Sequence, residues 1–477
     1  MKRVAISLMA VAMAIAVNGA SRPMPEYLKS AVVYQIVLHN FTQTGTFKAA
    51  RAMLPHVRST GADIVYLTPF FEMDRDMDQK CWSPRQKKSG FNSPLNPYRI
   101  RDYNKIDPIY GTEKDFDDFC AKAHALGMKV YLDLVYLHTG PTSVLKELAP
   151  DALKRNPDGS LTVNYYNFPL LNFESKATRK YLVDSMHAWI KRGVDGFRCD
   201  VGYRVPLDFW EEATAACWKV KPELVMINEG RPVEYLKTAF DSCYNFHWSY
   251  AIRHRLVKGS AGDRRHASMP FHEAMEKARR YEADAPTNSL FFCFLDNHDT
   301  SMDDGERRFD RVLTPNAGNA AYVLVFLRKG IAVLYNGNEI ADNGLASIFM
   351  PEDRRMERKR VNWARAVQPA GKKRLAHICA LSKLRHEDPI FADGTQEWIT
   401  EGEGQGAVAF VRRLGDRAVF VAANLTGKPV EFKATLGETP VVQANGRAPR
   451  ILMAERGKLA ADGTCNLGPW GYVVVEL

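Results

Sequence analysis

The sequence predicts an α/β chain: a (β/α)8 TIM barrel with a short inserted subdomain after strand three, followed by a C-terminal antiparallel β-sandwich. Three observations predict it. Short apolar, β-branched runs alternate with segments of helical period, which implies a parallel sheet joined by right-handed crossovers. Eight such runs occur in order, and eight repeats close a barrel. After about Pro389 the pattern changes to short alternating strands separated by Gly-Asp, Thr-Gly-Lys-Pro and Asn-Gly turns. On periodicity alone, a doubly wound open sheet is the alternative.

Residues 1–20 precede the fold. Lys2 and Arg3 form a charged start, Val4 to Val17 is apolar apart from Ser7, and Asn18-Gly19-Ala20 supplies small residues before Ser21. That is the layout of a secretory signal peptide, too short to span a bilayer comfortably. The expected location is therefore outside the inner membrane, in the periplasm or secreted. Barrel strands are predicted at Val32 to Leu38 and Ile64 to Leu67, and a long polar segment from Phe70 to Arg101 reads as a loop. Thr112 with Asp115 three residues on reads as a capping box, and Phe116, Phe119, Cys120 and Ala123 repeat at helical spacing up to Gly127. Lys129 to Val135 follows as strand three. The segment 139–173 carries Pro141, Pro150, Asn156-Pro157-Asp158-Gly159 and Pro169 as turn signals, and so reads as the inserted subdomain. Loops this long in a compact domain are usually functional. A helix from about Lys176 to Arg192 leads into strand four, Val194 to Val201. Leu224 to Ile227, Phe240 to Tyr244, Leu290 to Leu295 and Ile331 to Tyr335 complete the eight. The catalytic barrel thus spans 21–389 and the sandwich 390–477, with strands at Ala407 to Arg412 and Arg417 to Ala423.

Composition excludes several classes. Charged residues make up 25% and hydrophobic residues 46% of 477 residues, ordinary globular usage that argues against disorder. The net charge of +10 raises a polyanionic partner, but the densest basic run, Arg354 to Arg360, is short and interrupted by Glu357. A solvated face is the better reading, and no nucleic-acid partner is expected. All eight cysteines lie beyond the leader, within apolar runs at Cys199 and Cys293 and on an apolar helix face at Cys120. Buried free thiols are expected rather than a disulfide framework. No Cys-x-x-Cys, His-Glu-x-x-His, Walker-type phosphate loop or Gly-x-Ser-x-Gly elbow is present. No later run reaches 18 apolar residues, so no membrane insertion is expected.

Barrel chemistry sits at the C-terminal strand ends. Read in order, those ends carry Asp133 and His138, Arg198 and Asp200, Asn228 and Glu229, then Asn297-His298-Asp299. Paired carboxylates without a nucleophilic Ser or Cys fit glycoside cleavage, one acting as acid and the other as nucleophile. Arg198, two residues before Asp200, lies on the same strand face and is expected to hold that carboxylate ionised.

The same residues carry a family resemblance. Asp133-Leu-Val-Tyr-Leu-His138, Gly196-Phe-Arg198-Cys-Asp200, Asn228-Glu229 and Phe294-Leu-Asp-Asn297-His298-Asp299 resemble, in order, the motifs of the α-amylase family, glycoside hydrolase family 13. Weaker matches, such as Tyr103 to Thr112 and Gly330 to Glu339, extend the likeness over nearly the whole mature chain. The resemblance implies Asp200 as nucleophile, Glu229 as general acid/base and Asp299 as the third, transition-state carboxylate. It implies Arg198 as the group aligning the nucleophile, His138 and His298 as hydrogen-bonding the sugar, and Tyr98 as stacking beneath it. The implied function is a retaining α-glucan hydrolase acting on α-1,4 or α-1,6 bonds of starch-type or maltooligosaccharide substrates. Two alternatives are a transglycosylase on the same fold and a non-catalytic sugar-binding accessory protein.

Two departures qualify the likeness. The asparagine that ligates the family's structural calcium is replaced by Leu137, and an apolar side chain cannot bind a cation that takes oxygen ligands. No calcium, other metal or cofactor is therefore expected. After the nucleophile, Val201-Gly202-Tyr203-Arg204 stands where many α-amylases have a Lys-His pair.

Overall fold

The computed structural model describes residues 23–84, 87, 90, 95–230, 233–256, 269–286, 289–299, 308–344, 360–443 and 449–477. The predicted leader and residues 354–359 of the basic run lie outside them. In chain order the strands are β1 (Val32–Ile36), β2 (Ile64–Leu67), β3 (Phe71–Met73), β4 (Ile100–Ile106), β5 (Lys129–Leu134), β6 (Gly196–Cys199), β7 (Val225–Asn228), β8 (Ser242–Tyr244), β9 (Leu290–Cys293) and β10 (Ile331–Tyr335). Eight of them close into a parallel barrel in the order β1-β10-β9-β8-β7-β6-β5-β2. Each lies within a residue or two of its predicted run. The predicted helix after Thr112 runs from Glu113 to Ala125 with both capping-box bonds formed. The helix before β6 runs from Lys176 to Lys191, its Ser175 side chain accepting from the Thr178 N–H.

The period of two along each strand splits the barrel's apolar residues into two populations. Val33, Tyr66, Tyr131, Ile227, Tyr244, Phe292 and Val333 form one buried cluster, the barrel interior. Their neighbours in sequence, Val32, Val65, Val130, Met226 and Cys293, join a larger cluster with the surrounding helices, as does Phe197 on β6. Toward the strands' C-terminal ends polar residues enter the interior phase, among them Gln35, Asp133 and Arg198, all fully buried. Register places Asp133 beside Arg198 across β5 and β6.

The segment Phe70 to Arg101 differs from the loop reading. Its ends form β3 and the start of β4, paired antiparallel. A strand of three residues whose partner lies nearly thirty positions away leaves little local signal, and the Arg101–Glu72 ion pair at 3.0 Å contributes to holding it. Segment 139–173 contains three isolated antiparallel bridges, including Val163 with Pro169, and a fourth ties its Leu170 to His138.

The C-terminal part is an antiparallel sheet domain. Its strands are β11 (Thr395–Ile399), β12 (Ala407–Leu414), β13 (Arg417–Asn424), β14 (Val430–Lys433), β15 (Thr435–Leu436), β16 (Thr439–Pro440), β17 (Arg450–Leu459) and β18 (Thr464–Glu476). Six form one sheet, β11-β12-β13-β18-β14 with β17 on β18, and β15 and β16 form a small ribbon. One sheet face, including Phe410, Val421 and Val474, joins the barrel's outer core. The helix Pro315–Leu327, buried from Ala317 onward and apolar over most of its surface, lies in that shared core. Arg412 ties the two parts by donating to the carbonyls of Leu327 at 3.0 Å and Gly394 at 2.8 Å. All eight cysteines are free thiols, six of them buried.

Candidate active site

Arg198 is the centre of the site. Its Nη1 donates to both Asp133 oxygens at 2.7 and 2.8 Å and to Asp200 Oδ1 at 3.2 Å. Its Nη2 lies 2.8 Å from Glu229 Oε1. That contact is an ion pair by distance, but Nη2 makes no aligned hydrogen bond among the described residues. One guanidinium thus touches three carboxylates from three adjacent strand ends. Tyr244 lies beneath it, the guanidinium carbon 5.5 Å from the ring centre. Burial alone would lower the Arg198 pKa, but the charges of Asp133 and Glu229 outweigh it and raise it well above its ordinary value.

Asp200 and Glu229 share this cation yet hold their protons unusually tightly. Burial and the neighbouring Glu229 charge raise Asp200 well above the carboxylate range, against the opposing pull of Arg198. Arg198, expected to hold Asp200 ionised, does pull its pKa down, but burial and the Glu229 charge outweigh that pull. Burial, reinforced by Asp299, pushes Glu229 up to about 7, while Arg198 and the Val201 N–H oppose the shift. The Val201 amide donates to Glu229 Oε2 at 2.7 Å. To aim it there, Val201 adopts φ 37° and ψ 37°, left-handed backbone that a β-branched residue rarely occupies.

Tyr98, His298 and Asp133 form a buried relay. The Gln35 Oε1 accepts the His298 main-chain N–H at 3.3 Å, which leaves its Nε2 to donate to His298 Nδ1 at 2.7 Å. This assigns the imidazole proton to Nε2, which faces Tyr98 Oη at 2.6 Å. The Tyr98 hydroxyl donates to Asp133 Oδ2 at 2.8 Å, as does Tyr66 at 2.7 Å. The Tyr98 and His298 rings lie parallel, 5.5 Å apart. Burial lowers the His298 pKa to about 3, so the ring stays neutral. Asp299 Oδ2 lies 3.5 Å from His298 Nε2, its side chain 40% exposed and so accessible from the rim.

His138 stands on the same rim. Its Nε2 meets the Tyr98 carbonyl at 3.1 Å, its ring packs 5.1 Å from Phe168, and burial lowers its pKa to about 4. Its buried Nδ1 has no protein partner among the described residues. The structure thus brings together Asp200, Glu229, Asp299, Arg198, His138, His298 and Tyr98. Sequence reasoning missed Gln35, Tyr66 and Tyr244 as supports, and the amide of Val201. Their signal was the interior phase: Gln35, Tyr66 and Tyr244 alternate with outward-facing residues on β1, β2 and β8, strands whose own ends carry none of the candidate carboxylates.

At Leu137 the side chain is buried in the outer core and its carbonyl accepts the Leu171 N–H at 3.2 Å. The side chain carries no oxygen, so it does not fit the role of a calcium ligand.

Comparison with known proteins agrees with this architecture. The sequence profile described as the α-amylase catalytic domain matches residues 37–157 and 158–374. The α-amylase MalA of Haloarcula japonica is 25% identical over 431 residues, covering 86% of this chain and 58% of that protein. Neopullulanase 2 of Thermoactinomyces vulgaris is 24% identical over 459 residues, covering 85% of this chain and 71% of that one. The chain thus spans little more than half the length of the first relative. Among solved structures, the fold matches an α-amylase from Lactobacillus plantarum with a TM-score of 0.72 and 24% identity, over 95% of this chain and 100% of the other. A noncanonic maltogenic α-amylase from Thermotoga neapolitana gives 0.75 at 21% identity, over 94% and 99%. With the catalytic-domain profile matched over most of the chain and the eight-stranded barrel closed, the chain belongs to the α-amylase family.

Proposed function

We propose that the protein is a retaining α-glucan hydrolase cleaving α-1,4 or α-1,6 bonds in starch-type or maltooligosaccharide substrates. The observation that carries the reading is the single guanidinium of Arg198 contacting Asp200 and Glu229 at neighbouring strand ends. The Asp200 carboxylate, the form that the Arg198 charge favours, attacks the anomeric carbon while protonated Glu229 gives its proton to the glycosidic oxygen, releasing the leaving sugar. Water then attacks the same carbon of the glucosyl ester, Glu229 takes its proton, and the Asp200 carboxylate is regenerated. Two displacements retain the anomeric configuration, which requires carboxyl groups about 5–5.5 Å apart. Asp299 supports the oxocarbenium-like transition state, and His138, His298 and Tyr98 hold the sugar. The relay through Asp133 fixes the Tyr98 and His298 rings before substrate arrives, which preorganises the site.

Leader residues 1–20 support export, to the periplasm or the medium. Leu137 supports the absence of the family's structural calcium. A glucanotransferase is the second reading, favoured by a maltosyltransferase from Bifidobacterium longum, 29% identical over 43% of this chain. Incubating the purified protein with maltoheptaose separates the readings. Shorter maltooligosaccharides are expected; longer ones turn the assignment to transfer, and an unchanged trace turns it to α-1,6-linked or other substrates.

A further inference from the structure

A row of aromatic rings leads out of the site. His138 and Phe168 lie 5.1 Å apart, Phe168 and Tyr166 6.2 Å, and Tyr166 and Tyr165 5.4 Å. Phe168 is buried, but Tyr166 is 50% and Tyr165 71% exposed, with Val163 beside them at 41%. Adjacent exposed tyrosines at a loop tip cost solubility, and contiguous exposed apolar surface marks an interaction site.

The tip is held rigidly. Asn164 Oδ1 accepts the main-chain N–H groups of Tyr166 at 2.9 Å and Phe168 at 3.0 Å. Asn167 takes the left-handed conformation, φ 65°, that turns the chain, and its side-chain amide donates to the Lys80 carbonyl at 2.8 Å. The rings are thus displayed on a fixed turn, and little conformational entropy remains to be lost when a ligand lands on them.

We propose that Tyr165 and Tyr166 form a remote platform for the distal sugars of an α-glucan chain whose reacting end lies at Asp200 and Glu229. This rests on the glucan reading above and adds a chain-length dependence to it. The occupant follows from continuity: the platform extends, ring by ring, from His138, whose buried Nδ1 lacks a partner among the described residues. A sugar ring offers an apolar C–H face to a tyrosine ring and hydroxyls to the phenol oxygen, which suits an aromatic that is part apolar and part polar.

The test is calorimetric titration of maltose and maltoheptaose into the full chain carrying Asp200→Asn, alone and with Tyr165→Ala or Tyr166→Ala. Each alanine is expected to weaken maltoheptaose binding about tenfold, the scale of withdrawing one aromatic face from water. Maltose binding should stay unchanged, and Tyr166→Phe should retain most of the heptaose affinity. In the otherwise unsubstituted enzyme, KM for maltoheptaose should rise with kcat preserved. Equal weakening of both sugars would mean that the rings merely support His138, and unchanged heptaose binding would leave them no role; either overturns the platform alone. Failure of the parent to bind or cleave any glucan overturns the glucan reading itself. Sedimentation showing a dimer that Tyr165→Ala dissociates would assign the rings to self-association instead.

Discussion

Glu229 shows how one side chain's surroundings set its chemistry. Burial raises its pKa from 4.5 to about 7, so it carries the proton an acid catalyst needs near neutrality. The basic limb of kcat/KM should therefore lie near pH 7. The same shift has a stability sign. Between 4.5 and about 7 the folded state binds more protons than the unfolded one, so stability falls as pH rises through that window. Glu229→Gln lacks this titration. Relative to the parent it should gain on the order of 1–3 kcal/mol between pH 5 and pH 8, read by denaturant unfolding; a constant difference would remove the burial argument. The candidate carboxylates could be picked out because each closes a short motif at a strand end. The supports were not: Gln35 and Tyr66 are ordinary interior residues until the barrel closes and brings them to His298 and Asp133.

At the scale of the element, β6 is where packing and chemistry meet. Its first residue, Gly196, points its missing Cβ at the Tyr131 ring, which lies 2.8 Å from where that atom would sit. Two residues on, Arg198 is the hub of the site, so a shift of the strand moves the guanidinium. Gly196→Ala should destabilise the protein by about 1–3 kcal/mol through overpacking and lower kcat more than it raises KM. Loss of stability with untouched kinetics would show that β6 tolerates displacement. Barrel strands were readable because eight apolar runs alternate with amphipathic helices. The pairing of β3 with β4 was not, since its register depends on contacts between distant residues such as Arg101 and Glu72.

The whole molecule joins a parallel barrel to an antiparallel sheet through a shared core around the helix Pro315–Leu327, with Arg412 anchored on carbonyls from both sides. With protein groups satisfying one another at this junction and an apolar Leu137 in the outer core, stability should not depend on calcium. Addition of a chelator should leave the melting temperature unchanged; a drop of several degrees would reveal a bound ion. The two-part architecture was legible from the change in strand pattern near Pro389, whereas the buried Arg412 that fastens the parts was not, because nothing local distinguishes it from a surface residue. The central claim, that Asp200 forms a covalent bond to the sugar with Glu229 as its acid/base partner, is tested most directly by trapping. Glu229→Gln incubated with α-maltosyl fluoride, whose leaving group needs no acid, should accumulate a glycosyl ester, and peptide mass spectrometry should place it on Asp200. Turnover of the fluoride without an adduct, or an adduct on another carboxylate, would contradict the account.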